Sequence, residues 1–219
     1  MNMGVYAVQS TIYGTGENPI SVSAQEFSTR PEYFKDTDET IMAQLEFPSG
    51  AVANISTSHN FNANSMYVSG TNGWFQLQPA NNYGPLSGKS YNGDIIEFTH
   101  ESQPKLQMDD FAKHVLFGEP NKAPGEMGKR DMMIVEAIYE SIAKGGQNIT
   151  LDFAPSFGFG GWSLGQSSEQ FVPELPYFCM QWAFGHGSII DANEHVKSVF
   201  RHLPNLATWT ITASRHLTD

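Results

Sequence analysis

The sequence predicts an α+β fold: an open, mainly antiparallel β-sheet with helices on one face, followed by an irregular C-terminal tail. Three observations predict it. Segments alternating apolar and polar residues crowd the first hundred positions, and a strand with one covered face reads this way. Helical patterns follow over 107–118 and 127–144, so strands precede helices, the order of an α+β layer. After Asp152 the chain turns to Gly, Ser and Phe without a clear period.

Residues 3–13 open with a short helical pattern (Met3, Ala7, Val8, Ile12) that ends near Gly14 and Gly16. ISVSAQEFS (20–28) is the first strand-like segment. ETIMAQLEF (39–47) and AVANIST (51–57) alternate on either side of Pro48-Ser49-Gly50, which predicts a hairpin. SMYVSG and WFQLQP flank Thr71-Asn72-Gly73, a second hairpin with a favoured Asn-Gly turn. DIIEFTH (94–100) is a further strand. In 107–118, Phe111, Val115 and Leu116 share one helix face and Gly118 is a stop. The helix over 127–144 repeats Ile134, Ile138 and Ile142, and Gly145-Gly146 supply a left-handed cap. NITL (148–151) reads as a last strand, and DANEHVKSVFRHLP (191–204) as a short helix with Asp191 at its N-cap.

Composition narrows the function. At 219 residues the chain is one large domain, or one domain plus an appendage, and 40% hydrophobic residues suffice for a core. A net charge of -11 with only 12 Lys and Arg, nowhere in a run, argues against nucleic acid and anionic membrane as partners. No apolar stretch approaches the ~20 residues of a membrane span, and the first residues lack a signal peptide's charged and apolar regions. The single Cys179 cannot form an intramolecular disulfide. A soluble, cytoplasmic protein is the expectation.

Three stretches carry a family resemblance: MGVYAVQ…YGTGENP (3–19), DTDETIMAQLEFPSGAVANISTS (36–58) and QMDDFAKHVL…GEMGKRDMMIVEAIYESIAKGG (107–146). In order and spacing, residues 1–152 resemble the C-terminal domain of the Gfo/Idh/MocA oxidoreductases, closest to the glucose–fructose oxidoreductase branch. The resemblance stops before 153–219. That segment is left as a tail of unassigned origin, an unrelated fusion or a shifted reading frame, and poor folding is expected of it. The resemblance implies a sugar or polyol substrate, NAD(P) as cofactor, and a homo-oligomer formed through the sheet face. It also implies that a Rossmann domain precedes the helix resembling MNMGVYAVQ, so the chain reads as beginning where the second domain begins. The nearest Gly-rich stretch, Gly158-Phe159-Gly160-Gly161-Trp162-Ser163, lacks the third glycine and the strand–helix frame of a dinucleotide site. NAD(P) is therefore not expected to bind this chain alone, and the chain alone is expected to be inactive.

The family motif places an Asp, a Gly two residues on and a His or Tyr two further; Gly4 and Tyr6 match, while Asn2 stands at the Asp position. The resemblance makes Tyr6 the candidate catalytic residue, handing a proton from a substrate hydroxyl to a neighbouring base; a tyrosine packed on its helix is the alternative. Asn60 and Asn62 in HNFNANS (59–65) are candidates for hydrogen bonds to sugar hydroxyls, with loop polarity as the alternative. Lys129 and Arg130, beside Asp131, are candidates for orienting a substrate, against the reading of a solvated first helical turn.

Two rival functions remain. One is a non-catalytic dimerisation or binding module built on the sheet. The other is a serine hydrolase: Gly161-Trp162-Ser163-Leu164-Gly165 matches the nucleophile elbow, and Asp191 and His216 complete the order Ser, Asp, His. Against it, FGFGG before Ser163 makes a poor buried strand, and 163–216 is too short for the rest of such a fold. Cys179, His186, His195 and His202 match no compact zinc spacing, so no metal is expected.

Overall fold

A computed structural model of the chain describes residues 1, 4–71, 73–81, 86–98, 102–153 and 208–214. Helix α1 (Gly4–Thr15) is followed by strands β1 (Ser21–Phe27), β2 (Thr40–Glu46), β3 (Val52–Ser58), β4 (Asn64–Gly70), β5 (Gly73–Leu77), β6 (Leu86–Ser90) and β7 (Ile95–Phe98). Helices α2 (Gln103–Phe117) and α3 (Gly125–Ala143) come next, then β8 (Ile149–Thr150) and β9 (Thr208–Ser214). The strands form one sheet in the order β7-β6-β5-β4-β9-β3-β2-β1-β8. Every described pairing is antiparallel except β3 with β9. The α+β reading holds.

Alternation does what it predicts. In β2, Ile41, Ala43 and Leu45 are buried while Met42, Gln44 and Glu46 are exposed. Register puts Ile41 opposite Thr57, Ala43 opposite Ile55 and Leu45 opposite Ala53, so both strands of the hairpin cover the same side. The core lies between this face and helices α1 and α3, which contributes Ile134, Ala137 and Ile138. Ser141 Oγ donates to the Gln147 carbonyl and accepts from the Ala24 amide at 2.9 Å, pinning α3 to β1.

Helix α1 is buried further round than its four-residue stripe suggests: Gln9, Ser10 and Thr11 are buried with Ala7, Val8 and Ile12. It packs on the middle of the sheet, β3 and β9, and against α3. Its hydroxyls bond carbonyls of their own helix, Ser10 Oγ to Tyr6 O and Thr11 Oγ1 to Val8 O, both at 2.7 Å, which removes the cost of burying them.

Three features differ from expectation. β6 has no period-two signature, because at Gly88 an added Cβ would lie 2.1 Å from the Gln76 carbonyl oxygen; a strand with that close approach uses glycine. Second, α2 forms where predicted but none of its residues is buried, so its apolar face does not join the core. Third, no strand is expected in 153–219, yet Thr208–Ser214 lies between β3 and β4.

Candidate functional site at the sheet rim

Chain direction brings one set of loops together. β1 and β3 end, and β2 and β4 begin, at the same edge, so the β1–β2 connection (28–39) and the β3–β4 connection (59–63) share a rim. The start of α1 is there too. The Met1 amine lies 2.8 Å from Asp38 Oδ1, and the Tyr139 hydroxyl of α3 donates to the same oxygen at 2.7 Å. Burial alone would raise the Asp38 carboxyl, but these donors hold it below the ordinary carboxylate range. Burial, followed by the hydrogen bond to Asp38, pushes the Tyr139 hydroxyl up.

The rim is organised by Glu39, whose side chain is only 1% exposed. It lies immediately before β2. Its Oε2 accepts from Ser28 Oγ, the Thr29 amide and the Arg30 amide at 2.7, 2.8 and 2.9 Å. Its Oε1 accepts from Thr29 Oγ1 and Asn60 Nδ2, both at 2.7 Å. Burial alone would raise its pKa, but these bonds to the charged form bring it down to about 2. One carboxylate thus fastens the two loops to each other.

The sequence candidates are distributed as follows. Tyr6 sits in the first turn of α1, at the rim, 39% exposed. Asn60 is also at the rim, with its amide engaged by Glu39, by Thr29 Oγ1 at 2.8 Å and by Arg30 at 2.6 Å. Asn62 is exposed in the same loop. Lys129 is exposed on α3. Arg130 is not on a solvated turn: it is 2% exposed. Its Nε and Nη2 donate to Asp131 Oδ1 at 3.0 and 2.9 Å, Nη2 to Gln9 Oε1 at 2.8 Å, and Nη1 to Asn18 Oδ1 at 3.4 Å. Burial raises the Asp131 pKa, with Arg130 opposing the rise. Arg130 and Tyr139 are nine residues apart on α3, about 13 Å of helix axis, so Arg130 approaches α1 from behind the rim. Ser163, Asp191 and His216 lie outside the described residues, as do Cys179, His186, His195 and His202.

Sequence reasoning missed Glu39, Arg30 and Asp38. A signal was present: Glu39 is a charged residue on the apolar register of a strand, a placement that requires partners when the face is buried. Among the described residues no group of three or more His, Cys, Asp or Glu is placed to hold a metal, and no helix is long and apolar enough to cross a membrane. No described segment forms the strand, Gly-rich turn and helix that hold a dinucleotide.

With this geometry in view, solved structures define the class. The chain is similar to the aldose-aldose oxidoreductase of Caulobacter crescentus, solved with glycerol, at 30% identity and a TM-score of 0.64, over 69% of this chain and 47% of that one. The fold is shared with UDP-N-acetylglucosamine 3-dehydrogenase of Acidithiobacillus ferrooxidans, at 17% identity and a TM-score of 0.56, over 66% of this chain and 47% of that one. In sequence, the chain is 26% identical over 148 residues to the NADP(+) D-xylose 1-dehydrogenase of Haloarcula marismortui, 64% of this chain and 41% of the relative. Residues 1–76 match the family model described as the GFO/IDH/MocA C-terminal domain. The match to the family model takes in about the first third of the chain, and the chain spans less than half the length of these relatives. The comparisons lend the serine hydrolase no support.

Proposed function

We propose that this chain is the substrate-binding and oligomerisation half of an NAD(P)-dependent sugar or polyol oxidoreductase, working with a dinucleotide-binding half. The observation that supports this best is the position of Tyr6, in the first turn of the helix that opens a Gfo/Idh/MocA C-terminal domain, at a rim whose loops are fastened by Glu39. A partly exposed tyrosine there can exchange a proton with a substrate hydroxyl while the rim's amides and hydroxyls hold the polyol. Asn62, exposed beside Asn60, and the exposed Lys129 are proposed as substrate contacts. Residues 1–152 are proposed as the domain, and the open sheet face as its self-association surface.

The test joins this chain to a Rossmann dinucleotide-binding half and follows NADP+ reduction with D-glucose or D-xylose. Turnover is expected, and Tyr6→Phe should lower kcat by about 10²- to 10⁴-fold, the range for a lost general acid–base group. Equal kcat for the two proteins removes Tyr6 from the chemistry. The chain alone should give no saturable change in NADPH fluorescence; micromolar binding would overturn the assignment of the cofactor to the other half.

A further inference from the structure

We propose that the two fastened rim loops form an oxyanion site in which Arg30 receives the carboxylate of a sugar acid. This names a substrate class for the rim and rests on reading the rim as the substrate site.

The guanidinium of Arg30 is exposed yet held in place. Its Nη2 donates to Asn60 Oδ1 at 2.6 Å. It lies over the rings of Tyr33 and Phe34, 5.8 and 5.9 Å from their centroids, and Phe34 is itself stacked with His59 at 6.4 Å. Asn60 is in turn fixed by Glu39 and Thr29, and the Arg30 amide by Glu39. A buried carboxylate, expensive to place, therefore positions an arginine at the surface. Among the described residues Arg30 has no acidic partner within salt-bridge distance, although acidic residues outnumber basic ones 23 to 12 in the chain.

What remains open on Arg30 selects the ligand. A guanidinium offers two two-pronged edges. One acceptor on Nη2 takes a single hydrogen and leaves one edge whole, and that fork matches the two oxygens of a carboxylate. The side-chain entropy a free arginine loses on binding has already been given up here to the rings and Asn60. A neutral hydroxyl would use one prong and would bring neither the second acceptor nor the opposite charge of a carboxylate. The polar rim that suits a polyol thus has a charged pole at Arg30.

The experiment is an NMR titration of the ¹⁵N-labelled full chain at low salt with D-gluconate, D-glucose and D-glucose 6-phosphate. D-gluconate is expected to move the Arg30 Nε–H signal and to bind at least tenfold tighter than D-glucose. Arg30→Gln should weaken gluconate at least tenfold while leaving the thermal midpoint unchanged, because the side chain is exposed. Asn60→Ala, with Arg30 intact, should weaken it severalfold by releasing the guanidinium, an effect expected only if its position matters. Equal affinity for gluconate and glucose would overturn the Arg30 site while leaving the rim as a sugar site. Tighter binding of the phosphate ester than of gluconate would overturn the carboxylate assignment. Unchanged gluconate binding in Arg30→Gln would overturn the site outright, and binding of none of the three would overturn both this inference and the rim reading beneath it.

Discussion

Two buried charged residues, Arg130 and Glu39, show how this domain handles ions at the residue scale. Arg130 has its donors spread over Asp131, Gln9 and Asn18. Removing one member of such a pair strands the other, at a cost of roughly 3–5 kcal/mol, whereas exchanging both for apolar residues is often near neutral. Arg130→Met is therefore expected to lower the urea midpoint by that equivalent, and adding Asp131→Leu should restore much of it. Equal midpoints for Arg130→Met and the parent would show that the pair contributes nothing. Glu39 makes a pH prediction. Its folded pKa is depressed from 4.5 to about 2, so its contribution is fully present above the unfolded value and is lost as pH falls through the folded one. The stability gap between the parent and Glu39→Gln should be constant above about pH 5 and close between pH 4.5 and 2. A gap that persists unchanged at pH 2 would contradict the five-donor geometry.

At the scale of elements, α2 and α3 are both amphipathic in sequence, but only α3 is covered. Ile134 and Ile138 are fully buried under α3, while Leu116 and Phe117 of α2 are 71% and 72% exposed. Ile138→Ala should cost about 2–5 kcal/mol, through lost transfer energy and the cavity left behind. Leu116→Ser should stay within about 0.5 kcal/mol of the parent, as surface substitutions do. Denaturant titration of the two variants checks both, and a large loss from Leu116→Ser would mean that the α2 face is covered in solution.

At the scale of the whole molecule the asymmetry of the sheet matters most. One face carries the helices; the other presents Phe27, Met42 and Tyr67, the last stacked on Trp74 at 5.7 Å, among Gln44 and Asn54. Aromatic residues and methionine among neutral polar groups, with few charges, resemble the composition of an interface core. A stable contact needs about 800 Å² from each partner, which a nine-stranded face can provide. Light scattering should report a dimer or larger assembly, and Met42→Glu with Tyr67→Glu should reduce it to a single chain. A parent that is already monomeric at micromolar concentration would remove the sheet-face proposal.

Local pattern was enough for much of this fold. Alternation in 39–57 placed β2 and β3, the Asn-Gly turn placed β4 and β5, and the isoleucine repeat with Gly145-Gly146 placed α3. Each signal depends on near neighbours in the chain, and the Gly4 and Tyr6 motif was legible for the same reason. β9 was harder to read: TWTITAS carries β-branched residues at alternate positions, but it lies far from the strands it joins and follows a stretch without a period. Its place between β3 and β4 is a matter of long-range pairing, which no window of sequence contains. The same holds for the rim. That Glu39 would fasten residues 28–30 to Asn60, that Arg30 would stand open beside them, and that Arg130 would be buried rather than solvated are decided by which segments meet in space. The sequence by itself determined most of the elements, the family resemblance and the candidate tyrosine. Only the tertiary structure decided which polar groups are consumed in holding the loops and which are left exposed at the rim, because hydrogen-bond partners distant in the chain are chosen when the sheet assembles.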